Sequence, residues 1–309
     1  MKILLTLNKT LSNGKSKWLD SGYYNVYLPL KDLDHEVYLW DTVEPDNPNY
    51  SKVVEDFKPD LIFCCITGDQ SLTPAEHLCM ESISKETEKG NCKTFNWFCD
   101  DVWRFDNFSS KMCKLFHVCS TTEPSYISKY KEIGYKNIIL GGWHVNKDFH
   151  LATNNNKIHD MVFIGHLNNP ERVWLIDYLR TSKVDIKTFR GVDHGDMVSK
   201  MSQSKIGINF SKNYCGFPVK TQVKLRPFEI AAANSLIFTQ YHKDLEYFFE
   251  PEKEMICFKD EIEMLDKAKF LLSNQNQIKR ITNSGNVRFN NEHESHIRMK
   301  KILQEAMDK

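Results

Sequence analysis

The stretch Thr221–Asp260, TQVKLRPFEIAAANSLIFTQYHKDLEYFFEPEKEMICFKD, decides how this chain is read. Two cations, Lys224 and Arg226, stand just before a helix start. Pro227 suits the first helical position, since it has no N–H to leave unpaired and its φ is already helical. Glu229 falls in the first turn, and Ile230–Ala233 continue the helix. Asn234, a residue that tolerates the left-handed cap, and Ser235 stop it. Leu236–Thr239 reads as a buried strand, Asp244 as the N-cap of a short helix Leu245–Phe249, and Met255–Phe258 as a second strand. Cations, helix start, internal carboxylate and strand thus follow one another. A helix N-terminus offers free N–H groups and positive potential to a phosphate. One turn in, Glu229 is placed to accept hydrogen bonds from vicinal hydroxyls such as those of a ribose. The helix dipole favours a first-turn Glu without any ligand, and cations before a helix are often simply solvated. These residues alone therefore leave both a nucleotide site and a plain capped helix open.

The run LRPFEIAAANSLIFTQYHKDLEYFFEPEKEMICFKDEIEML resembles the C-terminal donor-binding segment of glycosyltransferases built from two Rossmann-like domains, the GT-B architecture. It is most similar to the spore-maturation-type, group 1-like enzymes, with their R-x-F-E, small-residue helix, strand, D-L and F-x-P-x-K-E series. The resemblance implies a ribose role for Glu229, phosphate roles for Lys224 and Arg226, and a place for Phe228 in the same donor site. Two departures stand out. Ala233–Asn234 replace the Ala-Cys-Gly of many relatives. Val219-Lys220-Thr221-Gln222 stands where many retaining relatives carry a further acid, so stereochemistry stays open.

Composition narrows the alternatives. The 309 residues suffice for about two domains. Hydrophobic residues make up 41% and aromatics 12%, enough for packed cores. Lys+Arg and Asp+Glu number 41 each, which argues against bulk attraction to nucleic acid or anionic lipid. The nine cysteines form no CxxC pair and no zinc-site spacing, so free, mostly buried thiols in a reducing compartment are expected. MKILLTLNKT is too short in its apolar run for a signal peptide, and no run approaches a membrane span, giving a cytoplasmic reading.

From the start, Lys2–Leu7 is a first parallel strand in pattern, and Asn8–Ser21 a polar loop facing substrate, with Asn13 in it. Asn13-Gly14-Lys15-Ser16 is not a phosphate loop, since Lys9 stands where that motif needs Gly. Tyr23–Leu33 is helical, and His35–Trp40, Leu61–Ile66 and Lys93–Phe98 are strands, with the helix Glu76–Lys89 before the last. Ligands in open parallel sheets bind beyond the carboxyl ends of the strands, and there the chain delivers Asp100 and Asp101, framed by Trp97, Trp103 and Phe105. Carboxylates beside aromatic faces suit a sugar site; equally, the two acids cap the next segment and pair with Arg104. The resembling family often carries a similar W-F/Y-x-D stretch here. Asp101 or Asp100 is the first choice for a base that deprotonates an acceptor, with His144 next. Leu115–Ser120, the helix Tyr126–Ile133 and Asn137–Leu140 complete the half. Gly141-Gly142 makes no dinucleotide motif, and the absence of G-x-G-x-x-G after a strand counts against an NAD enzyme.

Leu151–Lys157 is the linker candidate, and the strand–helix alternation restarts after it. Gly165, in the turn between the strand Met161–Ile164 and the helix Pro170–Leu179, lets backbone approach a pyrophosphate closely. His166 takes the place of a frequent polar contact in the resembling family. Asp185–Arg190 and Ile206–Phe210 are further strands, with the loop Gly191–Asp196 by the nucleotide base and a short helix Met197–Ser202. Glu261–Leu272 is helical, as is a tail from about His293.

The expected fold is α/β with two Rossmann-like, doubly wound domains and a cleft between them. Residues 1–152 would form an acceptor-binding domain, 158–292 a nucleotide-sugar-binding domain, and 293–309 a helix packing back on the first. The resemblance implies a sugar transferred from a nucleotide-sugar donor to a hydroxyl acceptor. No cofactor and no metal ligand are expected, and neither nucleic acid nor an integral membrane segment. A nucleotide-sugar epimerase or hydrolase of the same fold, and a non-catalytic nucleotide-sugar-binding protein, remain the alternatives.

Overall fold

The computed structural model describes residues 1–11, 18–44, 46–68, 74–150, 156–167, 169–214 and 219–309. Asn13, with the rest of 12–17, lies outside them, as do 151–155 of the expected linker. The chain forms two compact units, Met1–Gly142 with Ser295–Lys309, and Trp143–Glu294.

The first unit carries six parallel strands, β1 (Lys2–Leu7), β2 (Glu36–Asp41), β3 (Leu61–Cys64), β4 (Lys93–Trp97), β5 (Val118–Thr121) and β6 (Ile138–Leu140). They lie in the order β2-β1-β3-β4-β5-β6, in the doubly wound manner with the order reversing at β1 and β3. Apolar runs buried on both faces explain the parallel arrangement: Ile3, Leu4, Leu5, Leu61, Ile62 and Phe63 are fully buried. One face packs under the helices Tyr50–Phe57, Pro74–Lys89 and Tyr126–Glu132. The other holds Ile3, Leu5, Phe63 and Phe95 against Val26 and Leu30, and against Met299, Ile302, Leu303 and Ala306 of the helix Ser295–Asp308. That final helix is thus part of the first unit's core.

The second unit has β7 (His159–Ile164), β8 (Ile186–Phe189), β9 (Ser204–Asn209), β12 (Leu236–Gln240) and β13 (Ile256–Phe258), all parallel, in the order β13-β12-β9-β7-β8. An antiparallel pair, β10 (Lys212–Asn213) and β11 (Lys220–Thr221), projects between β9 and the helix Arg226–Ala232. The order reverses at β7 and β9, so their carboxyl ends flank the crevice where such sheets take ligands. The division between units falls at 142/143, earlier than the polar linker suggested. The reason is that 143–146 pair within the second unit: Trp143 Nε1 donates to the Val223 carbonyl at 3.0 Å, and Val145 bridges to Glu294. Asn234 does end its helix at φ +52°. The short helix after β12 is a 3-10 turn over Lys243–Tyr247, begun at His242 rather than capped by Asp244. Among helices of eight residues or more, two were not anticipated, Tyr50–Phe57 and Gln275–Arg288.

Candidate nucleotide-sugar site

At the carboxyl end of β7 the chain turns at Gly165, with φ +155°, where a Cβ would press to 3.0 Å from the Phe163 ring. Gly165 N–H is taken by the Phe189 carbonyl at 3.0 Å, so it is not the group that would meet a phosphate. His166 is exposed, and its carbonyl accepts from Arg172 at 2.6 Å. Asn169 caps the Pro170–Thr181 helix by accepting from Arg172 N–H at 3.0 Å. Arg172 therefore sits in the first turn, where the helix dipole disfavours a cation. Burial lowers its pKa, Tyr214 raises it, and the nearby Arg226 guanidinium lowers it further.

Arg226 opens the helix Arg226–Ala232, pressed onto β9 because Gly207 has no side chain; a Cβ there would lie 2.7 Å from Ile230 Cγ1. Its guanidinium pairs with Glu229 Oε2 at 2.7 Å and also meets Met197 Sδ at 3.0 Å. Glu229 is 7% exposed. Two histidines complete the wall. His150 and His194 meet edge to face at 4.8 Å. Burial and the neighbouring His194 depress His150 to about 3, while burial outweighs the pull of Glu229 on His194 and lowers it as well. Both rings are therefore neutral at pH 7.

The antiparallel pair is tied to this site from the other side. Glu171 accepts from Lys212 Nζ at 2.5 Å and from the Tyr214 hydroxyl, and Lys224 Nζ donates to the Lys212 carbonyl at 2.9 Å. Beneath lies a satisfied polar ladder, with Asn209 Nδ2 to Thr239 Oγ1 at 2.9 Å, Ser211 Oγ to the Gln240 carbonyl at 2.6 Å and Asn213 Nδ2 to Gln222 Oε1 at 2.5 Å. The structure thus gathers Gly165, His166, Lys224, Arg226 and Glu229 at one sheet edge. Phe228 is a correction. It is fully buried and packs on Phe248, Phe249 and His293 at 5.2 to 5.4 Å, because it lies on the helix face opposite Arg226 and Glu229. Arg172 and Tyr214 went unnoticed in the sequence; a cation in the first turn of a helix that follows a glycine turn was the available signal.

In the first unit, Asp100 takes a left-handed conformation, φ +59°, after β4. Its partly exposed carboxylate lies 3.7 Å from Arg104, while Arg104 also donates to the Thr67 carbonyl at 3.1 Å and stacks over Trp103 at 4.4 Å. That turn directs Asp101 inward. Asp101 is fully buried and accepts from Thr121 Oγ1 at 2.6 Å and Tyr130 OH at 3.0 Å, so it cannot touch an acceptor and is not the base. His144 is also buried, and belongs to the second unit. Trp103 stays partly exposed.

Residues 150–304, half of the chain, match the glycosyl transferase-like family, and the protein belongs to it. Its fold is that of the GT-B glycosyltransferases. Among solved structures, a glycosyltransferase from Rickettsia africae superposes with TM-score 0.66 at 12% identity, covering 99% of this chain and 98% of that one. A sucrose-phosphate synthase from Thermosynechococcus elongatus gives 0.67 at 9% identity over the full length of both chains. The Anabaena protein HepE in complex with UDP gives 0.63 at 10%, again over both full lengths. At such identities the likeness is one of fold. No curated protein matches the sequence. The described residues contain no helix long and apolar enough to cross a membrane. The eight described cysteines form no disulfide, and seven of them are buried.

Proposed function

We propose that this protein transfers a sugar from a nucleoside-diphosphate sugar to a hydroxyl acceptor, the second unit holding the donor. The observation that carries the reading is that Arg172, in the helix start after β7, feels the guanidinium of Arg226, which itself pairs with Glu229. Arg172, its pKa lowered by burial and then by the Arg226 guanidinium, carries a positive charge that a diphosphate would neutralise. The same charge would stabilise the diphosphate as it departs in an oxocarbenium-like transition state. The Glu229 carboxylate, one turn along and mostly buried, supports a contact with ribose hydroxyls. On the first unit, Asp100 is the acid with the exposure an acceptor-deprotonating base needs, and Trp103 offers a ring for a sugar face. The fixed guanidiniums make a divalent metal unnecessary for donor binding. The free thiols favour a reducing compartment, and we place the protein in the cytoplasm.

The test is thermal shift with nucleoside diphosphates in the presence of a chelator. A hundredfold excess over the dissociation constant should add about 2.7 kcal/mol. Arg172→Met and Arg226→Met should each lose most of the shift while remaining folded. Stabilisation that appears only with a divalent metal would refute the arginine clamp.

A further inference from the structure

Asp101 is withdrawn from direct catalysis by its burial, yet it is a buried carboxyl held by two hydroxyls. Its Oδ2 accepts from Thr121 and Tyr130. Thr121 passes that hold outward: its Oγ1 accepts from Glu123 N–H at 3.2 Å, and its carbonyl accepts from Gly141 N–H at 3.0 Å and Gly142 N–H at 3.4 Å. One carboxyl thereby anchors the carboxyl end of β5 and the loop leaving β6.

Among the described residues no cation pairs with it. Arg104, on the same turn, is directed to Thr67, Cys99 and Asp100. The groups that face Asp101 from neighbouring elements are the Tyr130 phenol from the Tyr126–Glu132 helix, the Cys119 thiol on β5, and Cys113 and Ser109 from the segment between β4 and β5. Asp100 and Cys99 on its own strand end add one negative charge and a thiol. Asp101 Oδ1 and Ser109 Oγ are both buried, and the Ser109 hydroxyl favours the ionised acid. A buried carboxylate with two hydroxyl donors and no counter-charge is held in its ionised form only weakly.

We propose that Asp101 is a positioning residue that takes up and releases a proton within the buried core of the first unit, and so sets how firmly Thr121 holds the strand end where the acceptor would dock. The last clause rests on the function proposed above; the proton uptake and the loosening do not. Ionised, Asp101 makes two charge-assisted bonds; protonated, the same bonds become ordinary neutral ones. Burial, opposed by Ser109, Thr121 and Tyr130, raises its pKa to about 6, so the exchange falls close to neutral pH.

The experiment reads the carboxyl and the amides without any substrate. Infrared or side-chain carbon NMR titration of the wild type should show a carboxyl titrating between pH 5 and 7 that Asp101→Asn removes. If Thr121 lets go while Asp101 stays buried, the loosened state has a still higher pKa. Amide exchange at Glu123, Gly141 and Gly142, corrected for its intrinsic pH dependence, should therefore accelerate about tenfold on going from pH 7 to pH 5. Slower exchange at pH 5 would mean that opening wets the carboxyl, and would overturn the proposal. In Asp101→Asn that pH dependence should vanish. Thr121→Val, which keeps the acid and removes the relay, should leave a titrating carboxyl but uncouple the glycine amides from it. The proposal is overturned if no carboxyl titrates above pH 5, or if the amides loosen equally in wild type and Asp101→Asn. Should the Asn variant not fold, wild type and Thr121→Val decide the matter. Absence of donor turnover in the wild type with these signals intact would instead count against glycosyl transfer.

Discussion

Replacing Glu229 by Gln separates the two things its carboxylate is asked to do. The side chain keeps its size, but one oxygen becomes an amide and the charge disappears. At 2.7 Å from Arg226, with the two side chains 23% and 9% exposed, the pair lies between a surface bridge and a buried one. Surface pairs contribute about 0–1 kcal/mol, and breaking a fully buried pair costs about 3–5. A loss of about 1–3 kcal/mol is therefore expected, or roughly 3–10 °C in melting temperature for a unit of this size. The ribose contact is a separate quantity. A charge-assisted hydrogen bond from a hydroxyl to Oε1 is worth about 1.5–3 kcal/mol, so a nucleoside diphosphate should bind about 10- to 150-fold more weakly. The assay is calorimetric titration of wild type and variant with a nucleoside diphosphate and its 2′- and 3′-deoxy analogues. Wild type should prefer a ribo over a deoxy ligand, and Glu229→Gln should lose that preference. Adding Arg226→Met to the variant should restore part of the stability, since no unpaired guanidinium remains, but none of the ribose preference. If the preference survives in Glu229→Gln, the carboxylate serves Arg226 alone and the donor assignment fails.

Gly207→Ala puts a methyl 2.7 to 2.9 Å from the buried Ile230 side chain and should cost about 1–3 kcal/mol; an unchanged denaturation midpoint would show that the helix Arg226–Ala232 can lift from β9. Phe228→Ala should lose about 3–5 kcal/mol in chemical denaturation, while the folded fraction binds nucleoside diphosphate as wild type does; a selective loss of affinity would return Phe228 to the site. Lys157 donates to the Asn234 carbonyl at 2.6 Å, and burial lowers its pKa from 10.5 to about 8. Between pH 8 and 10.5 the unfolded chain binds more protons there than the folded one, so this group makes stability rise with pH across that window. Lys157→Met should remove the rise, and an identical pH–stability curve in the variant would refute the assignment.

The alternation of short apolar runs with helical segments was enough to read the α/β class, because strands buried on both faces need no amphipathic pattern, only length and bounding turns. The Gln275–Arg288 helix escaped notice because QNQIKRITNSGNVR is polar and carries a glycine. Its order comes from tertiary contacts: Ile278 and Ile281 are buried, and Gly285 fits where a Cβ would lie 2.5 Å from the Glu254 carbonyl. At the candidate site, Arg226 and Glu229 share a face by their spacing of three, and the same rule places Phe228 on the core side. The reading of Asp100 and Asp101 as equivalents failed at one backbone angle. A left-handed residue at Asp100 sends the next side chain inward, and no local signal in CDDVW announces that.

The helix Ser295–Asp308 closes a sheet whose strands precede the entire second unit in the chain. During synthesis β1 to β6 emerge first, with Ile3, Leu5, Phe63 and Phe95 lacking the cover that Met299, Ile302, Leu303 and Ala306 provide. The second unit, continuous from Trp143 to Glu294, can fold as soon as it is made. Order of synthesis and order of completion are therefore reversed in this chain. A chain ending before Ser295 and released from the ribosome would carry a complete second unit and an open apolar sheet face, the kind of surface that chaperones hold.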